Sequence, residues 1–169
     1  MSLRNLISNT TKNLAVASVA FRGRDPVHRD MADKVDSQFF EIDANVKDML
    51  WCGNDNEAII VQTVNGQIYR SRDKGGNWKH LTTMMKKSGE AIADENQKIG
   101  RIQSIQQSPI DDRLVIFIGT KGINWVTEDC GANIKALNSG KSIEEIQFHP
   151  TKRDWALAAS WTQCDIAHK

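Results

Sequence analysis

Ser71-Arg72-Asp73-Lys74-Gly75-Gly76-Asn77-Trp78, lying between Gln67-Ile68-Tyr69-Arg70 and Lys79-His80-Leu81, decides how the rest of the chain is read. Its flanks have the composition of two paired strands, which makes the octapeptide the loop of a β-hairpin. The order of residue types gives that loop an internal fold. The carboxylate of Asp73 can accept hydrogen bonds from nearby backbone N–H groups, Gly75 can take a positive φ, and Trp78 can cover the turn with apolar surface. On this reading the loop is folded around one buried carboxylate.

A second copy follows as Thr127-Glu128-Asp129-Cys130-Gly131-Ala132-Asn133-Ile134, with hydroxyl, Asp and Gly in place and Ile134 where the first copy has Trp78. The shift of 56 positions that carries Ser71 to Thr127 also carries Tyr69 to Trp125, Val46 to Ile102 and Met49 to Ile105, so the chain contains a repeat. A third, partial copy appears when Ile102-Gln103-Ser104-Ile105-Gln106-Gln107-Ser108-Pro109 is laid over Ile143-Glu144-Glu145-Ile146-Gln147-Phe148-His149-Pro150, a shift of 41. The difference between the two shifts is localised between Trp78 and Ile102, where the first copy carries an insertion. Ser-x-Asp-x-Gly-x-x-Trp is the Asp-box pattern of β-propellers, and repeats of about 40 residues with four short strands are the propeller signature. The expected fold is all-β: a partial β-propeller of about two and a half four-stranded antiparallel blades joined by Asp-box turns, spanning 38–169, after a poorly ordered leader at 1–37.

The strands follow from local pattern. Phe39-Phe40-Glu41-Ile42 reads as an incoming strand and Val46-Lys47-Asp48-Met49-Leu50-Trp51 as the first strand of a blade. Ala58 to Val64 is β-branched and nearly continuously apolar, as in a strand covered on both faces. Asn65-Gly66 is the strongest short hairpin signal in the chain. Lys79 to Thr82 completes the first blade, and Thr83 to Gly100 is expected to be a charged surface excursion. The second blade is built from Ile102 to Ile105, Leu114 to Ile118 and Ile123 to Val126, and the third opens with Ile143 to Phe148 and Trp155 to Ser160.

Closed propellers need more blades than 169 residues supply, so strand edges here expect neighbours, and the chain reads as part of a longer one. Twenty-two basic against 21 acidic residues, without blocks of either sign, give no reason to expect nucleic acid. No run approaches the ~20 apolar residues that span a bilayer, so no direct membrane insertion by this segment is expected. Leu14 to Ala20 has the short apolar run of a signal-peptide core, and a mobile leader is the competing reading. Cys52, Cys130 and Cys164 lack any metal-binding spacing; they are either buried free thiols or disulfide cysteines of a luminal domain. Asn9-Thr10-Thr11 is a glycosylation sequon, effective only in a secretory lumen.

Leu114 to Thr120, Thr127-Glu128-Asp129-Cys130-Gly131 and Ile146 to Ala158, together with Ile68 to Trp78, resemble the amino-terminal blades of the Vps10/sortilin family. The resemblance covers roughly Phe39 to Cys164. It implies a type I membrane receptor of Golgi and endosomes whose ten-bladed luminal propeller binds protein or peptide cargo for delivery to the vacuole or lysosome. The segment's other partners would then be the remaining blades of the same propeller. Ser71, Asp73, Gly75, Trp78, Thr127, Asp129 and Gly131 transfer as structural positions only, and no cargo-contacting residue is carried over.

Two other functions fit the same turns. A soluble Asp-box scaffold or assembly factor would have reduced thiols. A sialidase-like glycoside hydrolase would need paired carboxylates, an arginine cluster and a tyrosine nucleophile, and Tyr69, in a strand feeding an Asp box, reads instead as a packing residue. The chain is therefore expected not to be an enzyme, and to use no metal or cofactor. His149 is open to a pH-sensing reading, with a turn role beside Pro150 the preferred one. Trp51, Trp125, Trp155 and Trp161 read as sheet packing rather than as the wall of a ligand tunnel.

Overall fold

The computed structural model describes residues 15–20, 36–54 and 56–160. Among the described residues, twelve strands and one helix follow in order: β1 (Ala15–Ala20), β2 (Asp36–Glu41), β3 (Val46–Cys52), β4 (Ala58–Thr63), β5 (Ile68–Ser71), β6 (Lys79–His80), α1 (Thr82–Glu90), β7 (Ile102–Gln107), β8 (Val115–Gly119), β9 (Ile123–Thr127), β10 (Lys135–Asn138), β11 (Glu145–Phe148) and β12 (Ala156–Ala159). β3-β4-β5-β6 and β7-β8-β9-β10 are two four-stranded antiparallel meanders, and β11 pairs with β12 in a third sheet. The fold is a partial propeller of two complete blades and the opening of a third. Within the segment expected to be a leader, β1 forms a strand antiparallel to β2, from Ala15 opposite Glu41 to Ala20 opposite Asp36.

The repeat extends to its irregularities. β3 and β4 shift register between Val46 and Asp48, and β7 and β8 shift between Ile102 and Ser104, which are the same two positions 56 residues on. Each bulge places one extra residue, Lys47 or Gln103, in the first strand of its blade. These two counterparts meet, because the Lys47 ammonium donates to the Gln103 carbonyl oxygen across the junction.

β4 is buried at every position and its two faces serve two cores, as expected from its near-continuous apolar sequence. Ile60, with Ile68 of β5, faces the second blade and packs with Ile102, Ile105, Val115, Phe117, Ile123 and Trp125. Ile59 and Val61 face the other way, toward Ile42, Phe40, Val46, Tyr69 and Trp78. The sheet β3–β6 thus packs face to face on the sheet β7–β10. The Asn65-Gly66 turn forms as expected: the Gly66 N–H donates to the Thr63 carbonyl (2.9 Å) and Gly66 takes a φ of +75°.

Three expectations are corrected. The first blade's fourth strand is only β6, since Thr82 already belongs to α1, and the Ile68 N–H finds its acceptor in the Thr82 hydroxyl at 2.7 Å. The insertion is not merely a surface excursion. Leu81, Met85 and Gly89 recur every fourth residue, so they share one side of the helical turns and are buried, Met85 and Leu81 in the inter-blade core. The Trp125 indole donates to the Met85 carbonyl at 2.8 Å, which fastens the insertion to the second blade. Packing also does not account for every Trp: Trp125 is 1% exposed, but Trp51 is 44% and Trp155 61% exposed, and Trp161 lies outside the described residues.

Candidate functional site

The two Asp boxes superpose bond for bond. In the first, the Ser71 hydroxyl donates to Asp73 Oδ1 (2.8 Å) and accepts from the Gly75 N–H (2.8 Å), while the Asn77 N–H donates to Asp73 Oδ1 (2.8 Å) and the Asn77 amide to Oδ2 (2.6 Å). In the second, the corresponding four distances from Thr127, Gly131 and Asn133 around Asp129 are 2.8, 2.8, 2.8 and 2.6 Å. Lys74 and Cys130 both have a φ of 56°, followed by glycines at 97° and 78°. The Trp78 indole donates to the Gly75 carbonyl (3.0 Å) and its ring stacks on Phe40 at 6.0 Å between centroids. Ile134, its counterpart, supplies only apolar cover.

The burial of this motif differs from the sequence reading. Asp73 is exposed and Asp129 half-buried, whereas Ser71 and Thr127 are 1% exposed. The hydroxyl ends a core strand and points inward; the carboxylate closes a loop whose donors all lie within four residues and needs no burial to be satisfied. Replacing Ser71 by Ala, or Thr127 by Val, leaves a buried glycine N–H without an acceptor. Each substitution should cost about 1–3 kcal/mol in urea denaturation, with Ser71→Thr close to neutral.

The Asn77 N–H, its side-chain amide and the Ser71 hydroxyl hold the Asp73 carboxyl down to about 2. Burial works against ionisation of Asp129, but hydrogen bonds from Asn133 and Thr127 outweigh it and its pKa is also lowered. A depressed carboxylate contributes stability that is complete above its ordinary value near 3.8 and lost as pH falls through about 2. The stability difference between the protein and Asp73→Asn should therefore stay constant from pH 7 to pH 5 and shrink only below about pH 4.

Side chains reaching between the blades were not visible in the sequence. Arg70 alternates with Ile68 on the face turned to the second blade and is 9% exposed; its Nε donates to the Cys130 carbonyl at 2.5 Å. Gln62 donates to the Ile102 carbonyl (3.0 Å) and Gln107 to the Trp51 carbonyl (2.7 Å). An arginine at a core-facing alternate position is the one sequence signal that marks such a contact, because a buried guanidinium needs acceptors. At the second junction, Asp111 pairs with Arg153 (2.5 Å) and Arg113 (3.5 Å). Burial raises the Asp111 pKa, and the Arg113 N–H and both guanidinium groups bring it below its ordinary value.

The other sequence candidates fall into place singly. Cys52 and Cys130 are buried in one cluster as free thiols; Cys164 and Asn9 lie outside the described residues. Tyr69 donates to Asp43 Oδ1 (3.2 Å), and burial and the Asp43 carboxylate push its phenol up, the opposite of an activated nucleophile. His149 Nδ1 accepts from the backbone N–H groups of Thr151 (3.1 Å) and Lys152 (3.0 Å), which is the turn role preferred for it. Among the described residues, no three His, Cys, Asp or Glu side chains come together as a metal ion would require. A cleft of about 120 Å³ between the blades, bordered by Gly66, Met85, Arg101 and Trp125, is smaller than the ~300–1,000 Å³ of typical ligand pockets.

A family model described as Sortilin-Vps10 (Sortilin, neurotensin receptor 3) matches residues 66–169. The protein called Vacuolar protein sorting/targeting protein 10 of Paracoccidioides brasiliensis (strain Pb03) is 28% identical over 115 residues, 65% of this chain and 7% of its own length. Its namesake in Ajellomyces capsulatus (strain H143) is 28% identical over 116 residues, 66% of this chain and 7% of its own. In Talaromyces stipitatus the namesake is 30% identical over 78 residues, 46% of this chain and 5% of its own. The chain thus spans about 7% of the length of the first two relatives.

Proposed function

Because the chain belongs to the Sortilin-Vps10 family, we propose that it is part of the luminal propeller of a vacuolar or lysosomal sorting receptor, contributing to a surface that binds protein or peptide cargo. The observation that carries this reading is the coincidence of the family match with the second half of the first blade, the whole second blade and the opening of the third. The three relatives above are all called vacuolar protein sorting/targeting proteins.

The third sheet supports a place in a larger ring. β11 and β12 pair only with each other among the described residues, and Trp155 and Leu157 are 61% and 77% exposed. With Phe148, His149, Pro150 and Ala156 they border an apolar groove. An exposed face of this composition asks for cover, and the remaining blades of the propeller are the partner proposed for it. Among the described residues no helix is long and apolar enough to cross a membrane, so anchoring would fall to other parts of the receptor.

The Asp boxes are taken as structural closures and the chain as a binding module rather than an enzyme. Golgi-to-endosome transport is the route proposed, and Asn9 would carry a glycan if the segment is luminal. The test is loss of the gene in the cells of origin. Soluble vacuolar or lysosomal hydrolases should then appear in the medium and return inside on re-expression. Unchanged hydrolase retention, with the chain digested by protease outside intact microsomes, would overturn the reading in favour of a cytosolic scaffold.

A further inference from the structure

Cys52 is the last residue of β3 in the first blade and is fully buried; Cys130 sits in the Asp box of the second and is 8% exposed. Both belong to the core shared by the two blades. A methyl group built on Gly53 would lie 3.4 Å from Cys130 Sγ, so that sulfur rests against the residue immediately after Cys52. Cys130 is also fixed through its main chain, its N–H donating to the Arg113 carbonyl (3.2 Å) and its own carbonyl accepting from Arg70 (2.5 Å).

The repeat sharpens this. The counterparts of Cys52 and Cys130, 56 positions away, are Ser108 and Lys74. Cysteine therefore replaces other residues on both sides of one junction at once, whereas the repeat itself demands it on neither side. Two neutral thiols in one core give at best a weak hydrogen bond, so the coincidence gains little unless the sulfurs bond covalently.

We propose that Cys52 and Cys130 form a disulfide that locks the first complete blade to the second, and that neither pairs with Cys164. The bond closes the chain from the end of β3 to the second Asp box, a loop long enough to restrict the unfolded chain strongly. Burial, then the neighbouring Cys130, pushes the Cys52 thiol up to about 12, and burial raises Cys130 as well. Thiolates are disfavoured in the packed junction, which makes the pair slow to react once assembled and places bond formation at the time the blades come together.

Chemically, one cysteine thiolate attacks the disulfide of an oxidised thiol–disulfide donor and releases one thiol. The second cysteine thiolate then attacks the mixed disulfide and releases the other. Two protons and two electrons leave the pair, one S–S bond forms, and the donor is reduced to two thiols. The inference rests on the luminal placement proposed above for its oxidant but not for its geometry.

Trypsin separates the three cysteines into the peptides 48–70, 122–135 and 154–169, so linkage can be read directly. The full-length protein from its own cells, alkylated while being denatured, should give 48–70 joined to 122–135, a species abolished by reduction. The same protein, reduced and then held overnight at pH 8.5 with glutathione and glutathione disulfide, should give the same species. Linkage in the second experiment alone would uphold the pair and overturn the luminal placement. Alkylated Cys52 and Cys130 in both experiments, or either joined to 154–169, would overturn the pair.

Discussion

Truncating Trp125 to Ala should destabilise the chain by about 3–5 kcal/mol, the range for loss of a buried aromatic side chain that leaves a cavity. The indole is 1% exposed, lies in the core between the first two blades, and ends on the Met85 carbonyl of α1. Its ring also lies close against α1: a Cβ on Gly89 would lie 3.1 Å from Trp125 Cζ2, the same distance as from Ile123 Cγ2. Trp125→Phe keeps most of the apolar contact and removes the donor, so it should cost about 1–3 kcal/mol. Urea denaturation of the two variants separates the terms. A Phe variant as unstable as the Ala variant would mean that the hydrogen bond to α1, rather than packing, holds this junction.

Gly66→Val should be comparably damaging for a different reason. Gly66 has a φ of +75°, and a Cβ there would stand 2.7 Å from the Ile102 carbonyl oxygen and 3.1 Å from its nitrogen, both backbone atoms of the next blade. Overpacking costs about 1–3 kcal/mol, and holding a β-branched residue in the left-handed region adds about 1–3 kcal/mol. Because the obstacle is main chain, side-chain rearrangement cannot relieve it. Gly140→Val is the control: it shares the positive φ (69°) but has no atom within 4 Å of its built Cβ, so it should show the strain without the clash. Equal losses at the two positions would mean that the blades are not packed at Gly66 as described.

The elements that were legible in the sequence are those whose cause is local. The Asp-box residues Ser71, Asp73 and Gly75 specify their own loop, and the shift of 56 positions reproduces the second blade down to the bulge at Ile102. Asp73 is exposed rather than buried for a related reason. Its acceptor sites are filled by Ser71 and Asn77 nearby, so it can remain in water. Arg70 with Cys130, Gln107 with Trp51 and Cys52 beside Cys130 are contacts between distant parts of the chain, and only the packing angle of one sheet on the next brings them together. Nothing local in Thr83 to Gly100 shows that Met85 of α1 would be drawn under Trp125.

The account depends on Ser71-Asp73 and Thr127-Asp129 closing equivalent corners of two successive sheets. Residue-resolved amide hydrogen exchange of the full chain tests this most directly, read at Gly75, Asn77, Gly131 and Asn133, whose N–H groups are bound at 2.8 Å in both copies. The prediction is that Gly75 is protected like Gly131 and Asn77 like Asn133, with Thr127→Val releasing Gly131 while Gly75 stays slow. One copy exchanging at the solvent rate in the unsubstituted protein while the other is protected would contradict it.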